Sequence, residues 1–128
     1  MNRKIILTAS LFGISAVIFG AFGAHTIKDA VSPSGLDIWN KGVSYQFYHV
    51  FALLFLSTFA RFKNRLVNLS YIFFTIGIIF FSGSLYLLAT REITGWSFVH
   101  FMGPITPLGG LCFILGWAML FLAAMRHK

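Results

Sequence analysis

Residues 66–89 read LVNLSYIFFTIGIIFFSGSLYLLA, an unbroken stretch without Asp, Glu, Lys or Arg. Its two flanks differ. Arg61-Phe62-Lys63-Asn64-Arg65 precedes it and Thr90-Arg91-Glu92 follows. An α-helix rises about 1.5 Å per residue, so a run this long spans the ~30 Å of hydrocarbon in a bilayer. One charge at mid-helix would cost about 2.5–3.5 kcal/mol on insertion scales, which explains why none is present. The run is about twice the length of a membrane β-strand and lacks its period-two alternation. It predicts a membrane-spanning helix, basic at its start.

Three further runs share this character: 5–24, 44–60 and 108–125, again with no charged residue inside. Four crossings in 128 residues leave only short connections, so the chain is expected to be a single all-α membrane domain, 1–128. The composition agrees. The chain is 58% hydrophobic and 10% charged, whereas soluble domains carry about 25% charge. A soluble chain this short has too little interior for so much Phe, Ile and Leu.

The charges then orient the bundle. Arg3, Lys4, Arg61, Lys63, Arg65, Arg126 and Lys128 all fall on the side of the termini, with no acid among them. Lys28, Lys41 and Arg91 on the other side are balanced by Asp29, Asp37 and Glu92. The positive-inside rule places both termini in the cytoplasm. The seven basic residues hug span ends and form no stripe. Anionic headgroups of the lipid bilayer are therefore their expected partner, and nucleic acid is not.

The first run also reads as a signal peptide, with Arg3-Lys4 before it and Ala21-Phe22-Gly23 as a poor cleavage site. Its apolar core exceeds the usual 7–15 residues or so and three spans follow, so a retained helix is expected. Cys112, the single cysteine, excludes an intrachain disulfide and a cysteine metal cluster.

Ala9, Gly13, Ala16, Gly20 and Gly23 recur at four- and three-residue steps. Such a seam lets backbones approach in lipid, either within the chain or in a dimer. Ser32-Pro33-Ser34-Gly35 reads as a turn within an outer loop, 25–43. Residues 36–41 are expected to form a short interfacial helix with Trp39 at headgroup level. Tyr45, Tyr48, Tyr86 and Trp96 complete an aromatic belt. Residues 98–102 are apolar enough to lie in the interface. Thr106 is placed as N-cap of the fourth span and Pro107 at its first position. Gly109 and Gly110 call for a close neighbour, and Gly77 with Ser82-Gly83-Ser84 suits a tight contact on span three.

Gly20-Ala21-Phe22-Gly23-Ala24-His25, Trp39 with Tyr45-Gln46 and His49, Phe81-Ser82-Gly83-Ser84-Leu85-Tyr86, Ile105-Thr106-Pro107-Leu108-Gly109-Gly110 and Gly116-Trp117 occur in that order. This succession resembles the YgdD/YwdK-type small membrane proteins, the domain of unknown function 423 family. The resemblance covers nearly the whole chain. It implies a small multi-pass protein, in bacteria one of the cytoplasmic membrane, and it supplies no activity. Gly42 and Pro104 depart from the family pattern and bear only on local helix starts.

The topology gathers His25, Tyr45, Gln46, His49, Ser82, Tyr86, His100 and Thr106 toward the outer side. Gln46 and His49 share a helix face, three residues apart. An ionisable residue inside a span is a functional candidate, and interhelical hydrogen bonding is the plainer role. His25, His49 and His100 fall short of a metal motif, with no i, i+4 histidine pair and no H-E-x-x-H. A two-histidine haem needs axial His on facing helices at matching depth, which His25 and His49 only approximate. Ser82 and Ser84 have no base to activate them. The start of span four offers helix N–H groups to an anion, or is an ordinary capped end. No cofactor and no enzyme is expected. The expected role is an assembly, adaptor or stress-related protein, with a homo-oligomer or a membrane-protein partner. The alternative is a small oligomeric transporter or channel.

Overall fold

The computed structural model describes residues 2–59, 64–95 and 100–127. Among these residues every regular element is helical. Four helices are long: α1 (Arg3–Ala30), α2 (Pro33–Phe59), α3 (Arg65–Ala89) and α4 (Met102–Arg126). α1, α3 and α4 are long and apolar enough to cross a membrane. α2 is of similar length, but Tyr45, Gln46, Tyr48 and His49 interrupt its apolar sequence.

Local chemistry explains the ends. Asn2 caps α1 by accepting the Ile5 N–H at 3.3 Å, and Asn64 caps α3 by accepting the Leu66 N–H at 2.9 Å. Ser32 caps α2, its Oγ accepting the Gly35 N–H at 3.1 Å. Glu92, from the single turn Arg91–Thr94, reaches across to that cap. Its carboxylate accepts the Ser32 N–H at 3.2 Å and the Ser32 hydroxyl at 2.9 Å. A negative group at a helix N-terminus is favoured by the exposed N–H groups there. Gly95, at φ 63°, ends the Arg91–Thr94 turn in the left-handed region that suits glycine.

Four expectations are corrected. The outer loop 25–43 is almost entirely helix. α1 runs past His25 through a π turn, Gly23–Ile27, to Ala30, and α2 begins at Pro33. Residues 36–41 are therefore the first turns of α2 and not a separate interfacial helix. Trp39 is buried, because its indole N–H donates to the Phe19 carbonyl at 2.8 Å and its ring lies over Gly23. Third, Thr106 is no N-cap and Pro107 is not the first helical residue. α4 starts at Met102, and Thr106 Oγ1 donates back to the Met102 carbonyl at 3.2 Å. Pro104 occupies the first turn, where a missing N–H has no helical partner to lose. Nor does Gly109 leave backbone open to an anion, since it lies against the backbone of Phe81.

The long helices alternate in direction. Asn2 bonds Ser57, Gly13 faces Val50 and Gly20 faces Val43, so α1 and α2 are antiparallel. Gly42 with Ser82 and His49 with Phe74 reverse α3 on α2. Gly77 with Phe113 and Ser84 with Thr106 reverse α4 on α3. Arg3, Lys4, Arg65 and Arg126 therefore share one end, with Asp29, Asp37 and Glu92 at the other. Arg61, Lys63, Lys128 and Trp96 lie outside the described residues, as do 98 and 99 of the apolar stretch 98–102.

The four helices do not close into a square. α2 and α3 pack at the centre, α1 lies along α2, and α4 lies along α3. The small-residue seam of α1 decides its partner. Ala9 and Ala16 are fully buried, and Gly13, Gly20 and Gly23 all face α2. The seam packs within the chain. Between α3 and α4 the fit is reciprocal, with Phe113 over Gly77 and Phe74 over Gly116. Each aromatic fills the space that a side chain would need, which is how helices associate where lipid removes the hydrophobic drive. Because α1 and α4 flank the central pair, a groove opens on each side, one between α2 and α4 and one between α1 and α3.

Candidate functional site

Among the described residues, polar side chains at the helix contacts link the helices; four kinds of linkage lie away from the Thr8–Tyr71 pair that joins α1 to α3 near the basic end. Gln46 is the hub of the first. Its Nε2 donates to the Phe12 carbonyl at 2.8 Å and to Ser15 Oγ at 2.7 Å. Its Oε1 accepts from the Tyr86 hydroxyl at 2.6 Å. One amide thus joins α1, α2 and α3. Beside it the rings of Phe19, Trp39 and Tyr86 pack at centroid distances of 4.7–5.8 Å. The Phe19–Trp39 pair is edge-to-face, a preferred geometry for aromatic pairs.

His49 makes the second linkage. Nδ1 lies 2.7 Å from the Tyr45 carbonyl, and Nε2 lies 3.1 Å from the Trp117 indole nitrogen. A carbonyl only accepts and an indole N–H only donates. The ring is therefore the neutral Nδ1–H tautomer, with both nitrogens engaged. It stacks on Phe113 at 3.6 Å and 7°. No lone pair remains for a metal unless the Trp117 bond is broken.

The third linkage is Ser84 with Thr106, 2.6 Å apart, joining α3 to α4. The fourth consists of serines bonding carbonyls on facing helices. Ser82 donates to Gly42 at 2.7 Å and Ser70 to Gly116 at 2.8 Å. Glycine at the acceptor position brings the backbone close enough for a short side chain to reach it. Among the described residues no buried polar side-chain atom lacks a partner.

The structure thus joins Gln46 to Tyr86, and it brings Ser82 and Thr106 into interhelical bonds. Tyr45 meets His49 through its carbonyl and stacks its ring near Phe113 at 6.4 Å. His25 and His100 are exposed and join none of these linkages. Among the described residues no group of three or more His, Cys, Asp or Glu is placed to hold a metal. Because α2 starts at Pro33, Gln46 lies roughly 20 Å along a helix about 40 Å long, near its middle. Sequence reasoning passed over Ser15, Ser70, Phe113 and Trp117 as site residues. Trp117 carried a signal, since Gly116-Trp117 belongs to the motif succession. Phe113 carried none beyond being one of 16 phenylalanines.

This set contains no carboxylate, ammonium or guanidinium, and no serine has a base beside it. Chemically it can tie helices together and line a surface. The surface is the groove between α2 and α4, about 610 Å³, lined by Tyr45, His49, Phe81, Phe113, Ile114 and Trp117 among others. Its walls are mostly apolar and it opens sideways, toward lipid.

Comparison with known proteins places the chain. The family model described as "Protein of unknown function (DUF423)" matches residues 19–110. A UPF0382 membrane protein of Staphylococcus aureus is 40% identical over 124 residues, 97% of this chain and 97% of the relative. UPF0382 membrane protein YwdK of Bacillus subtilis is 34% identical over 128 residues, 98% of each chain. UPF0382 inner membrane protein YgdD of Escherichia coli is 33% identical over 131 residues, 99% of this chain and 93% of the relative. No solved structure matches. With apolar helices of membrane-spanning length and these full-length relatives, the chain belongs to the DUF423 family of membrane proteins.

Proposed function

We propose that the chain is a non-enzymatic, four-span protein of the cytoplasmic membrane, both termini cytoplasmic, that acts as an assembly or adaptor component through its lateral faces. The observation that carries this reading is the mutual satisfaction of the polar groups between the helices. Among the described residues they are spent on one another and on facing carbonyls, and the lipid-facing surface stays free to interact. A conducting path needs polar lining through the whole bilayer. Here the helix contacts on the basic-end side of His49 are built mainly from Ile5, Leu53, Leu56, Val67 and Phe74, and the hydroxyls of Thr8, Ser57, Ser70 and Tyr71 among them are isolated and already bonded within the protein.

Four crossings are supported by the position of α2. It is 27 residues long and lies between α1 and α3, two helices of membrane length, which favours reading it as a crossing beside them. The orientation follows from the basic end, which faces anionic cytoplasmic headgroups. In a Cys112→Ala background, Ser34→Cys should react with a membrane-impermeant maleimide in intact cells. Asn64→Cys should react only after permeabilisation. The reverse pattern would invert the protein, and labelling of both in intact cells would remove a crossing.

The functional test pairs two measurements on the purified chain. In liposomes, ion and small-solute flux should stay at the level of protein-free vesicles. In mild detergent, native mass spectrometry should show a stable homo-oligomer or a complex with another membrane protein. Flux that disappears in His49→Ala would establish a transporter or channel instead. Absence of both flux and assembly would count against the adaptor reading.

A further inference from the structure

We propose that the groove between α1 and α3, at the basic end, binds one anionic phospholipid. The groove is about 510 Å³ and is lined by Arg3, Lys4, Leu7, Thr8, Leu11 and Tyr71. Along α1 these residues fall on one helical face in the order of a phospholipid's own parts. Arg3 and Lys4 stand at the mouth. Leu7 and Leu11, both exposed, line the continuation toward the bilayer interior. Arg3 to Leu11 is roughly 12 Å along the helix axis. The polar zone on each side of a bilayer is about 5–8 Å deep. With the cations among phosphates, Leu11 lies beside acyl chains.

The mouth is built to stay positive. Among the described residues no carboxylate pairs with Arg3 or Lys4. The Lys4 ammonium lies 5.4 Å from the centroid of the Tyr71 ring. That cation–π contact holds the charge over the groove without neutralising it. The floor is closed by Tyr71 and Thr8, whose hydroxyls lie 2.8 Å apart, while Thr8 Oγ1 donates to the Lys4 carbonyl at 3.0 Å. These hydroxyls are used within the protein. Binding therefore comes from charge-assisted bonds between a phosphodiester and the two cations, with an acyl chain along the leucines. A zwitterionic lipid brings its own ammonium to the same two cations and is disfavoured. Soluble phosphate has no chain for Leu7 and Leu11.

The site rests on the reading that the basic end lies among headgroups, and the test separates the two. The full chain in detergent is titrated with phosphatidylglycerol and with phosphatidylcholine of identical acyl chains, and bound lipid is read by native mass spectrometry. One phosphatidylglycerol should be retained under activation that strips phosphatidylcholine. Arg3→Gln/Lys4→Gln should lower that preference roughly 10-fold or more. Leu7→Trp, which fills the groove without altering charge, should lower phosphatidylglycerol retention. Arg126→Gln, at the same end but outside the groove, should leave it unchanged. All four positions are exposed, and circular dichroism checks that each variant is folded. If Arg126→Gln weakens binding as much as the double variant, attraction of the whole end stands and the site is overturned. Displacement by inorganic phosphate would overturn the lipid. Equal retention of both lipids would overturn the site and the headgroup reading together.

Discussion

Gly109→Ala should destabilise the protein by about 3 kcal/mol, at the upper end of what overpacking a close contact usually costs. A Cβ at this position would fall on the backbone nitrogen of Phe81, with the Phe81 Cα at 2.8 Å. Backbone has no rotamer to turn aside, so α3 and α4 would have to separate. Separation would also stretch the Ser84–Thr106 bond three residues away along α4 and loosen Phe113 over Gly77. Gly83→Ala is the matched control. Nothing lies within 4 Å of its added Cβ, and it sits in a helix. There the substitution should be neutral or stabilise by up to about 1 kcal/mol through helix propensity. Reversible unfolding in mixed micelles measures both. Equal tolerance of the two alanines would mean that α3 and α4 do not approach this closely.

Gln46→Leu should cost about 2 kcal/mol. Two scales lead to this figure. Interhelical hydrogen bonds in a membrane bundle average ~0.6 kcal/mol, and Gln46 makes three. Leaving a buried hydroxyl without its partner costs about 1–3 kcal/mol, and the substitution strands the Tyr86 O–H. Leucine keeps the volume, so the loss reports bonding and not a cavity. Tyr86→Phe removes only one of the three bonds and should cost less. The double variant should be less destabilised than the two singles added, because they share a bond. Full additivity would show that Gln46 and Tyr86 are not coupled. An unchanged midpoint in Gln46→Leu would return the residue to the list of functional candidates.

Much of this arrangement was legible beforehand, and the failures share a cause. The apolar runs 5–24, 44–60, 66–89 and 108–125 each fall within one helix as far as the residues are described. Their limits were set by hydropathy, which locates where a helix can meet lipid. Hydrogen bonding sets where the helix itself ends. α1 therefore outlasts its apolar run by six residues, and α2 begins eleven residues before its own. An indole suits headgroup level, so the sequence alone points to Trp39 as an anchor there. The buried alternative needed the Phe19 carbonyl and the bare face of Gly23, which lie on another helix.

The site was half visible for a related reason. Gln46 and His49 stood out as polar residues in an apolar run. Polarity alone does not reveal that each side-chain nitrogen and oxygen of both residues already has a partner. His25, His49 and His100 shared a predicted side, yet only His49 faces a neighbouring helix. The sequence by itself determined that the chain is a membrane protein of helices, which stretches are apolar, and which end is basic. Those are properties of composition along the chain, and the cost of burying charge in lipid enforces them. Tertiary structure decided that the small-residue seam of α1 meets α2, that the polar groups close on one another, and that grooves stay open beside the central pair, between α2 and α4 and between α1 and α3. Each of these depends on which helix faces stand opposite. Residues far apart in sequence set that together, since in lipid the fit between backbones, and not hydrophobicity, selects the partner.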